Sequence, residues 1–366
     1  MSDPAPDGLT VFIGGSAGAI EAVAERLAGL PGELAAPLLV VLHLGRAGGS
    51  VLPSILDRVG TLHAITPVDG EELVDGLVYV APRGKHMLVE DHCVRLTEGP
   101  VEHGLRPAID PLFRSAARAF GPRAVGVILS GMLDDGTAGL REIRARGGWT
   151  LVQAPGEAAF PSMPESAIAN VGVDYVLPVA ELAPRLTELV SSRRQHTGGS
   201  SPLPPPPLEP VASELVGPEP PGMRTDITCP QCGGVLWEEV EDRMTIYRCR
   251  AGHVYSPDSL LAVQGEDLDS AIWRPIRMLQ ERGALLRRLA TRATAQGRLR
   301  SARYFHDEAE EALRRAADMR RALSDRESRG EQAERSEPQN AEPPQTELVD
   351  RPKPEPVITE QMAAEP

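Results

Sequence analysis

Three apolar runs in the first half of the chain restrict its fold more than any other feature. Residues 9–13, 36–42 and 124–129 each have the length and composition of a buried strand. Helix-like stretches, such as residues 111–120, lie between the strand candidates. Strands that alternate with helices are typical of an α/β domain with a doubly wound, mainly parallel sheet. We therefore predict that architecture for residues 8–190.

A serine, a histidine and an aspartate follow these runs at the predicted strand ends. Ser16 lies in a glycine-rich turn after the first run, and the apolar spacing beyond it predicts a helix over residues 17–30. His43 directly follows the second run, and Asp135 lies just beyond the third. The carboxyl ends of parallel strands meet at one edge of a sheet, where ligands bind. Serine, histidine and aspartate can act there as nucleophile, base and orienting carboxylate, which favours an enzyme.

Each of these three residues also has an ordinary structural explanation. Serine is a favoured N-cap at a strand-to-helix turn, and the Asp135-Gly136 pair is a common turn dipeptide. A histidine beside apolar residues is often a structural residue. The glycine-rich turn could instead bind a nucleotide phosphate, although its spacing departs from the dinucleotide-binding G-x-G-x-x-G pattern. The residues alone therefore leave a hydrolase, a structural role and a nucleotide site open.

The charge of the chain argues against nucleic acid as a partner. Its 366 residues include 52 acidic and 38 basic side chains, a formal net charge of -14. Duplex binding needs clustered lysine and arginine on the phosphates. The chain also shows no N-terminal basic segment followed by an apolar core, and no apolar run approaches the length of a membrane span. We expect a cytoplasmic protein without direct membrane insertion.

Composition divides the second half of the chain into a linker, a folded module and a tail. Nine prolines fall between positions 202 and 221, and this density predicts an extended linker over residues 191–224. Residues 330–366 hold nine acidic and three basic residues without apolar periodicity. We predict a disordered acidic, proline-rich tail over residues 326–366.

Three cysteines and one histidine have the spacing of a zinc site. Cys229 and Cys232 form a C-x₂-C pair, and Cys249 and His253 form a C-x₃-H pair, with 16 residues between the two pairs. Two such pairs can supply the four ligands of a tetrahedral zinc, so we predict a structural Zn²⁺ in a ribbon over residues 225–263. Four protein ligands would close the metal to water, which argues against catalysis. Free or redox-active cysteines, with His253 not a ligand, are the alternative.

A helical hairpin is predicted over residues 264–325. Apolar or small residues recur there at alternating spacings of three and four, which makes one seam for each of two helices. Pro275 should kink or delay the first helix. Residues 225–325 carry 16 basic and 16 acidic side chains, so this region is also an unpromising nucleic-acid surface. The seams predict an intramolecular hairpin, with a helical partner protein as the alternative.

Six segments of the N-terminal half occur in an order that is typical of one known family. They are residues 13–18, His43, and residues 81–87, 106–115, 130–136 and 160–168. Together they resemble the chemotaxis protein-glutamate methylesterases (CheB), and the resemblance extends over residues 9–189, about half of the chain.

The resemblance implies a catalytic residue set and a reaction. Ser16 would be the nucleophile, His43 its base and Asp135 the carboxylate that orients His43, while the backbone N–H of Met132 would stabilise the oxyanion. The implied reaction is hydrolysis of glutamate γ-methyl esters on methylated chemoreceptors or similar helical signalling proteins, in some members with deamidation of glutamine. No cofactor is implied for catalysis.

Several residues beside this candidate site depart from the family pattern. Ala17, Gly45, Leu133 and Asp134 stand where other residues are common in the family. A CheB-like scaffold with weak or no activity is therefore the alternative function. The family's usual N-terminal receiver domain has no counterpart in the few residues before position 9. We therefore expect either constitutive activity or control by the C-terminal region.

Overall fold

The computed structural model describes residues 8–19, 29–43, 52–194, 219–241 and 244–336. Nine strands lie in the N-terminal half of this part of the chain. They are β1 (Thr10–Gly15), β2 (Leu38–Leu42), β3 (His63–Ile65), β4 (Leu77–Val80), β5 (His86–Glu90), β6 (Cys93–Thr97), β7 (Ala124–Ile128), β8 (Trp149–Gln153) and β9 (Tyr175–Leu177). Strands β5 and β6 form an antiparallel hairpin. The other seven form one parallel sheet in the order β3-β4-β2-β1-β7-β8-β9.

Helices cover both faces of the parallel sheet. They are α1 (Leu52–Val59), α2 (Ile109–Phe120), α3 (Thr137–Ala145), α4 (Ser162–Val171) and α5 (Val179–Arg194). One apolar core joins the sheet to α1 and α5, and a second core on the opposite face joins it to α2, α3 and α4. The predicted doubly wound α/β architecture is therefore confirmed. The helix predicted over residues 17–30 has most of its length, residues 20–28, outside the described residues.

A small antiparallel sheet and a pair of long helices form the C-terminal module, which we define as residues 223–336. The sheet contains β10 (Met223–Thr228), β11 (Val235–Glu241), β12 (Met244–Cys249) and β13 (Val254–Tyr255) in that order. Two helices follow, α6 (Pro257–Ala295) and α7 (Leu299–Ser336). The pair packs closely along its seam, because a Cβ on Gly283 would lie 2.8 Å from Cγ of Leu313.

The boundaries of this module differ from those expected. Helix α6 begins at Pro257 because Ser256 and Ser259 form a reciprocal capping box at its start, so the helical part begins before residue 264. Pro275 lies inside α6, which continues through it instead of starting late. Helix α7 runs past residue 325 to Ser336, through a segment rich in glutamate and arginine, which favour helix. Most of the predicted linker, residues 195–218, and the tail beyond 336 lie outside the described residues.

None of the helices in the described ranges has both the length and the apolar content that crossing a bilayer requires.

Candidate active site

The register of the central strands brings Ser16 and His43 to the same edge of the sheet. Gly15 at the end of β1 pairs in parallel with Leu42 at the end of β2. The residues that directly follow them, Ser16 and His43, are therefore neighbours. The backbone N–H of His43 donates to the carbonyl of Gly15 at 3.1 Å. The N–H of Ser16 donates to the carbonyl of Ser130, just beyond β7, at 2.9 Å. Three strand ends therefore converge where the sequence predicts them to converge.

The glycines around Ser16 are explained by close packing. A Cβ on Gly14 would lie 2.4 Å from Cγ2 of Ile109, and one on Gly131 would lie 2.9 Å from Cβ of Ser16. Gly18 has a φ of +73°, and a Cβ there would lie 2.6 Å from Cβ of Ala159. These contacts explain why the turn is rich in glycine without a bound nucleotide phosphate. The glycine pattern was the main support for a nucleotide site, and that support is removed.

His43 and Asp135 are in direct contact. Nε2 of His43 lies 2.9 Å from Oδ2 of Asp135, and both side chains are almost fully buried. The backbone N–H groups of Ile109 and Asp110, at the start of α2, donate to the two oxygens of Asp135 at 2.7 and 3.0 Å. Burial alone would raise the pKa of Asp135. The contact with His43, the nearby charge of His103 and these backbone donors outweigh burial and hold that pKa far below its usual range.

Ser16 lies at the same edge of the sheet as this pair, but its hydroxyl makes no hydrogen bond to His43. Among the described residues, no hydrogen bond joins the Ser16 side chain to His43, and Nε2 of His43 has no aligned hydrogen-bond partner. Catalytic hydrogen bonds are often long or poorly aligned before substrate binds, and they tighten in the reacting complex. The structure therefore brings the predicted serine, histidine and aspartate to one edge and directly joins only the last two.

The turn that contains Met132 is held by its neighbours. Gly131 N–H donates to the carbonyl of Phe160 at 3.0 Å, and Leu133 N–H donates to Oγ of Ser162 at 3.0 Å. Leu133 has a φ of +64°, a conformation that L residues rarely adopt. Within the described ranges, the N–H of Met132 between them has no hydrogen-bond acceptor, and the Met132 side chain is half exposed. That donor is available for a developing oxyanion.

The two adjacent aspartates face different surroundings. Asp135 points at His43, whereas Oδ1 of Asp134 accepts a hydrogen bond from Oγ of Ser256 at 2.8 Å. Burial raises the pKa of Asp134 above its usual value, although the charge of His103 and the Ser256 hydrogen bond act in the opposite direction. Asp135 is thus the carboxylate that faces the histidine.

One residue close to the site was missed by sequence reasoning. Nε2 of His103 lies 3.0 Å from Oδ2 of Asp110 and 3.8 Å from Oδ1 of Asp135. No strand end, helix face or spacing rule singles out His103, because its partners come from distant parts of the chain. The only sequence signal is that it lies shortly before the segment 106–115 that resembles the family.

The four predicted metal ligands form one cluster in the C-terminal module. Sγ of Cys232 lies 3.7 Å from Sγ of Cys249, and Nδ1 of His253 lies 3.6 and 3.3 Å from Sγ of Cys229 and Cys249. Zn–S bonds of 2.3 Å in a tetrahedron place sulfurs about 3.8 Å apart and a sulfur and a nitrogen about 3.5 Å apart. A disulfide would need about 2.0 Å. The donor set and its spacing therefore fit zinc.

Comparisons with known proteins identify the family of the N-terminal half. A sequence model described as CheB methylesterase matches residues 11–186. A putative protein-glutamate methylesterase/protein-glutamine glutaminase of Leptospira interrogans is 36% identical over 174 residues, which is 47% of this chain and 90% of that protein. The chain belongs to the CheB methylesterase family.

Other CheB relatives match over the same region. A protein-glutamate methylesterase/protein-glutamine glutaminase 2 of Anaeromyxobacter dehalogenans is 39% identical over 179 residues, 49% of this chain and 52% of that protein. The chain spans about half the length of the first curated relatives it matches. A crystal structure of the Thermotoga maritima CheB methylesterase catalytic domain is 32% identical, covering 50% of this chain and 99% of that one with a TM-score of 0.48.

Proposed function

We propose that this CheB family member is a cytoplasmic serine hydrolase that cleaves glutamate γ-methyl esters on methylated chemoreceptors or receptor-like helical proteins. The contact between His43 and Asp135, at the sheet edge where Ser16 also lies, is the observation that carries the proposal. The names of the relatives support methylesterase activity and add glutamine deamidation as a second reaction of the same site.

The proposed chemistry needs no metal or cofactor in the hydrolytic steps. Oγ of Ser16 attacks the ester carbonyl while His43 takes its proton, and the N–H of Met132 donates to the oxyanion. The tetrahedral intermediate then expels methoxide, which leaves as methanol with the proton from His43. Water, activated by His43, attacks the acyl-enzyme and releases the glutamate carboxylate and Ser16. With a glutamine substrate the leaving group is ammonia.

The proposal gives different roles to the two ring nitrogens of His43. Because Nε2 faces Asp135, Nδ1 is the nitrogen that remains to accept the Ser16 proton. The ionised Asp135 fixes the Nε2–H tautomer and stabilises the imidazolium that forms during the reaction.

Covalent labelling tests the proposed nucleophile. A fluorophosphonate probe should phosphonylate Ser16 of the full chain, with the modified peptide located by mass spectrometry, because only an activated serine reacts quickly. His43→Ala should label far more slowly, and Ser54→Ala should leave labelling unaffected. Labelling at another serine, or equal rates with and without His43, would contradict the assignment.

A scaffold function is the second candidate. The unaligned Nε2 of His43 and the departures at Ala17 and Leu133 favour it. In that case the folded chain would bind a helical receptor or signalling partner, through the long α6–α7 pair, with Ser16 inert. A folded protein whose Ser16 resists the probe would support this function over hydrolysis.

We also propose a structural zinc bound by Cys229, Cys232, Cys249 and His253. When bound, the zinc would tie β10–β11 to β12–β13 and stabilise a sheet whose apolar core is small. Elemental analysis of the purified full chain should find about one zinc per chain. Cys232→Ser should lose the metal, and Cys93→Ser, outside the cluster, should retain it. Full retention by Cys232→Ser would contradict the site.

A further inference from the structure

Part of the contact between the C-terminal module and the catalytic domain is made by a short segment, the docking loop, which we define as residues 100–105. His103 N–H donates to the carbonyl of Val254 at 2.7 Å, and Glu102 forms a parallel bridge with Val254 of β13. A Cβ on Gly104 would lie 2.7 Å from Cγ2 of Val263 in α6, so the two surfaces are in close contact. The docking loop therefore pairs with β13, at the edge of the C-terminal sheet, through a single bridge.

His103 extends from this loop into a buried polar network that reaches the active site. Its Nε2 is 3.0 Å from Oδ2 of Asp110, and its Nδ1 is 3.0 Å from Oγ of Ser259. All three residues are at most 9% exposed. One ring nitrogen thus faces the start of α2 and the other faces the start of α6.

The groups around His103 favour its doubly protonated form. The Ser259 hydroxyl lies 3.2 Å from the carbonyl of Ser256 and can donate to it, which leaves its oxygen to accept from Nδ1 of His103. The carboxylate of Asp110 accepts a hydrogen bond from Nε2, so both ring nitrogens of His103 carry hydrogen. Burial opposes this charge, but the Asp110 hydrogen bond and the carboxylates of Asp135, Asp110 and Asp134 outweigh it and raise the pKa of His103 to about 10.

The charge of His103 lies among the carboxylates that surround the catalytic pair. Oδ1 of Asp135 is 3.8 Å from His103, while Oδ2 of Asp135 faces His43. The carboxyl groups of Asp110, Asp134 and Asp135 all lie within 4.0 Å of the His103 ring, where a cation offsets the repulsion between neighbouring negative charges. The positive charge of His103 offsets the carboxylate charges from the side of Oδ1 of Asp135. Oδ2 of Asp135 remains in contact with His43.

We propose that His103 is a positioning residue for Asp135 and that Ser259 of the C-terminal module holds it in place, so that docking of the module sets the activity of the esterase site. Ser256 reinforces the contact through Asp134, the residue next to Asp135. The inference rests on the proposed function, because it assigns an intramolecular regulator to that same site. It gives the C-terminal module a role in catalysis even though the module contributes no reacting atom.

Steady-state kinetics of the full chain on a glutamyl γ-methyl ester peptide test the coupling. Ser259→Ala should lower kcat about tenfold with KM unchanged, because a hydrogen bond to a charged group is lost behind Asp135 and not at the substrate. Ser259→Thr keeps the hydroxyl and should restore kcat. Ser270→Ala, an exposed serine in the same helix, should match the wild type.

Two further measurements keep the outcomes distinct. Thermal unfolding shows whether each variant is folded, and the imidazole N–H resonances in NMR spectra should show His103 protected from exchange in the wild type and exposed in Ser259→Ala. The coupling would be overturned if the wild type is active and a folded Ser259→Ala variant has the same kcat. A change confined to KM would overturn it as well. A wild-type chain that releases no methanol would overturn the proposed function itself.

Discussion

Two adjacent aspartates with the same chemistry receive different environments from elements far away in sequence. The start of α2 donates two backbone hydrogen bonds to Asp135, whereas Asp134 meets a serine of the C-terminal module. Helix N-termini stabilise negative charge, which keeps Asp135 ionised beside His43. The family resemblance favoured Asp135, but only the fold shows what separates it from its neighbour.

Isosteric amides should separate the two aspartates. Asp135→Asn should lower kcat roughly 10³-fold to 10⁴-fold, because an amide cannot hold the required His43 tautomer or stabilise its charge. Asp134→Asn should cost less than about tenfold, since its contact is with Ser256 and not His43. Rates of methanol release from both variants provide the comparison. Equal losses would show that the carboxylate next to His43 has been misassigned.

The pH dependence of stability should reveal the buried charge of His103. Its pKa is raised to about 10, so its contribution is complete below the ordinary value near 6.5 and is lost as pH rises through 10. The difference in urea midpoint between the wild type and His103→Gln should therefore shrink between pH 6.5 and 10.5. His63→Gln, at a largely exposed histidine, is the matched control and should change little. A difference that stays constant or grows with pH would contradict this role.

Sequence reasoning reached Ser16, His43 and Asp135 but could not reach His103. Ser16 and His43 directly follow strands, and Asp135 lies in the loop after β7, so apolar runs mark these regions in advance. His103 is hydrogen-bonded to Ser259, which is 156 residues away in sequence, and no local sequence pattern indicates such a contact. Long-range hydrogen bonds of this kind are visible only after the two halves of the chain are packed.

At the scale of elements, the periodic parts of the sequence were easier to predict than their ends. The strands and helices of the parallel sheet follow from apolar patterns, because each must bury a face against its neighbours. The start of α6 depends on the capping box at Ser256, and its continuation through Pro275 depends on packing against α7. Packing therefore overrides the local preference of the proline.

The contact between β1 and α2 should tolerate no side chain at position 14. Gly14→Ala would place a Cβ 2.4 Å from Ile109, so we expect a loss of about 1–3 kcal/mol in unfolding free energy. Activity should fall as well, since the N–H of Ile109 donates to Asp135. Urea unfolding measures the first effect. Gly156→Ala is the control, because a Cβ there would meet nothing within 4 Å; equal stability of both variants would contradict the packing argument.

At the scale of the molecule, the sequence predicts separate units on either side of a proline-rich segment, and the structure shows contact between them. β13 and the start of α6 pack on the docking loop, and Ser256 and Ser259 reach the surroundings of Asp135. Composition could not predict this contact, since it depends on which surfaces of two folded units complement each other. The excess of acidic over basic residues, by contrast, is counted directly from the sequence and does not depend on the fold.

Methanol release from a protein or peptide that carries glutamate γ-methyl esters tests the central claim most directly. The full chain should release methanol in proportion to the ester hydrolysed, and Ser16→Ala should lower the rate by at least about 10³-fold while it remains folded. Such a loss would establish Ser16 as the nucleophile of an esterase. A Ser16→Ala chain that releases methanol as fast as the wild type, or a folded wild type that releases none, would contradict the account.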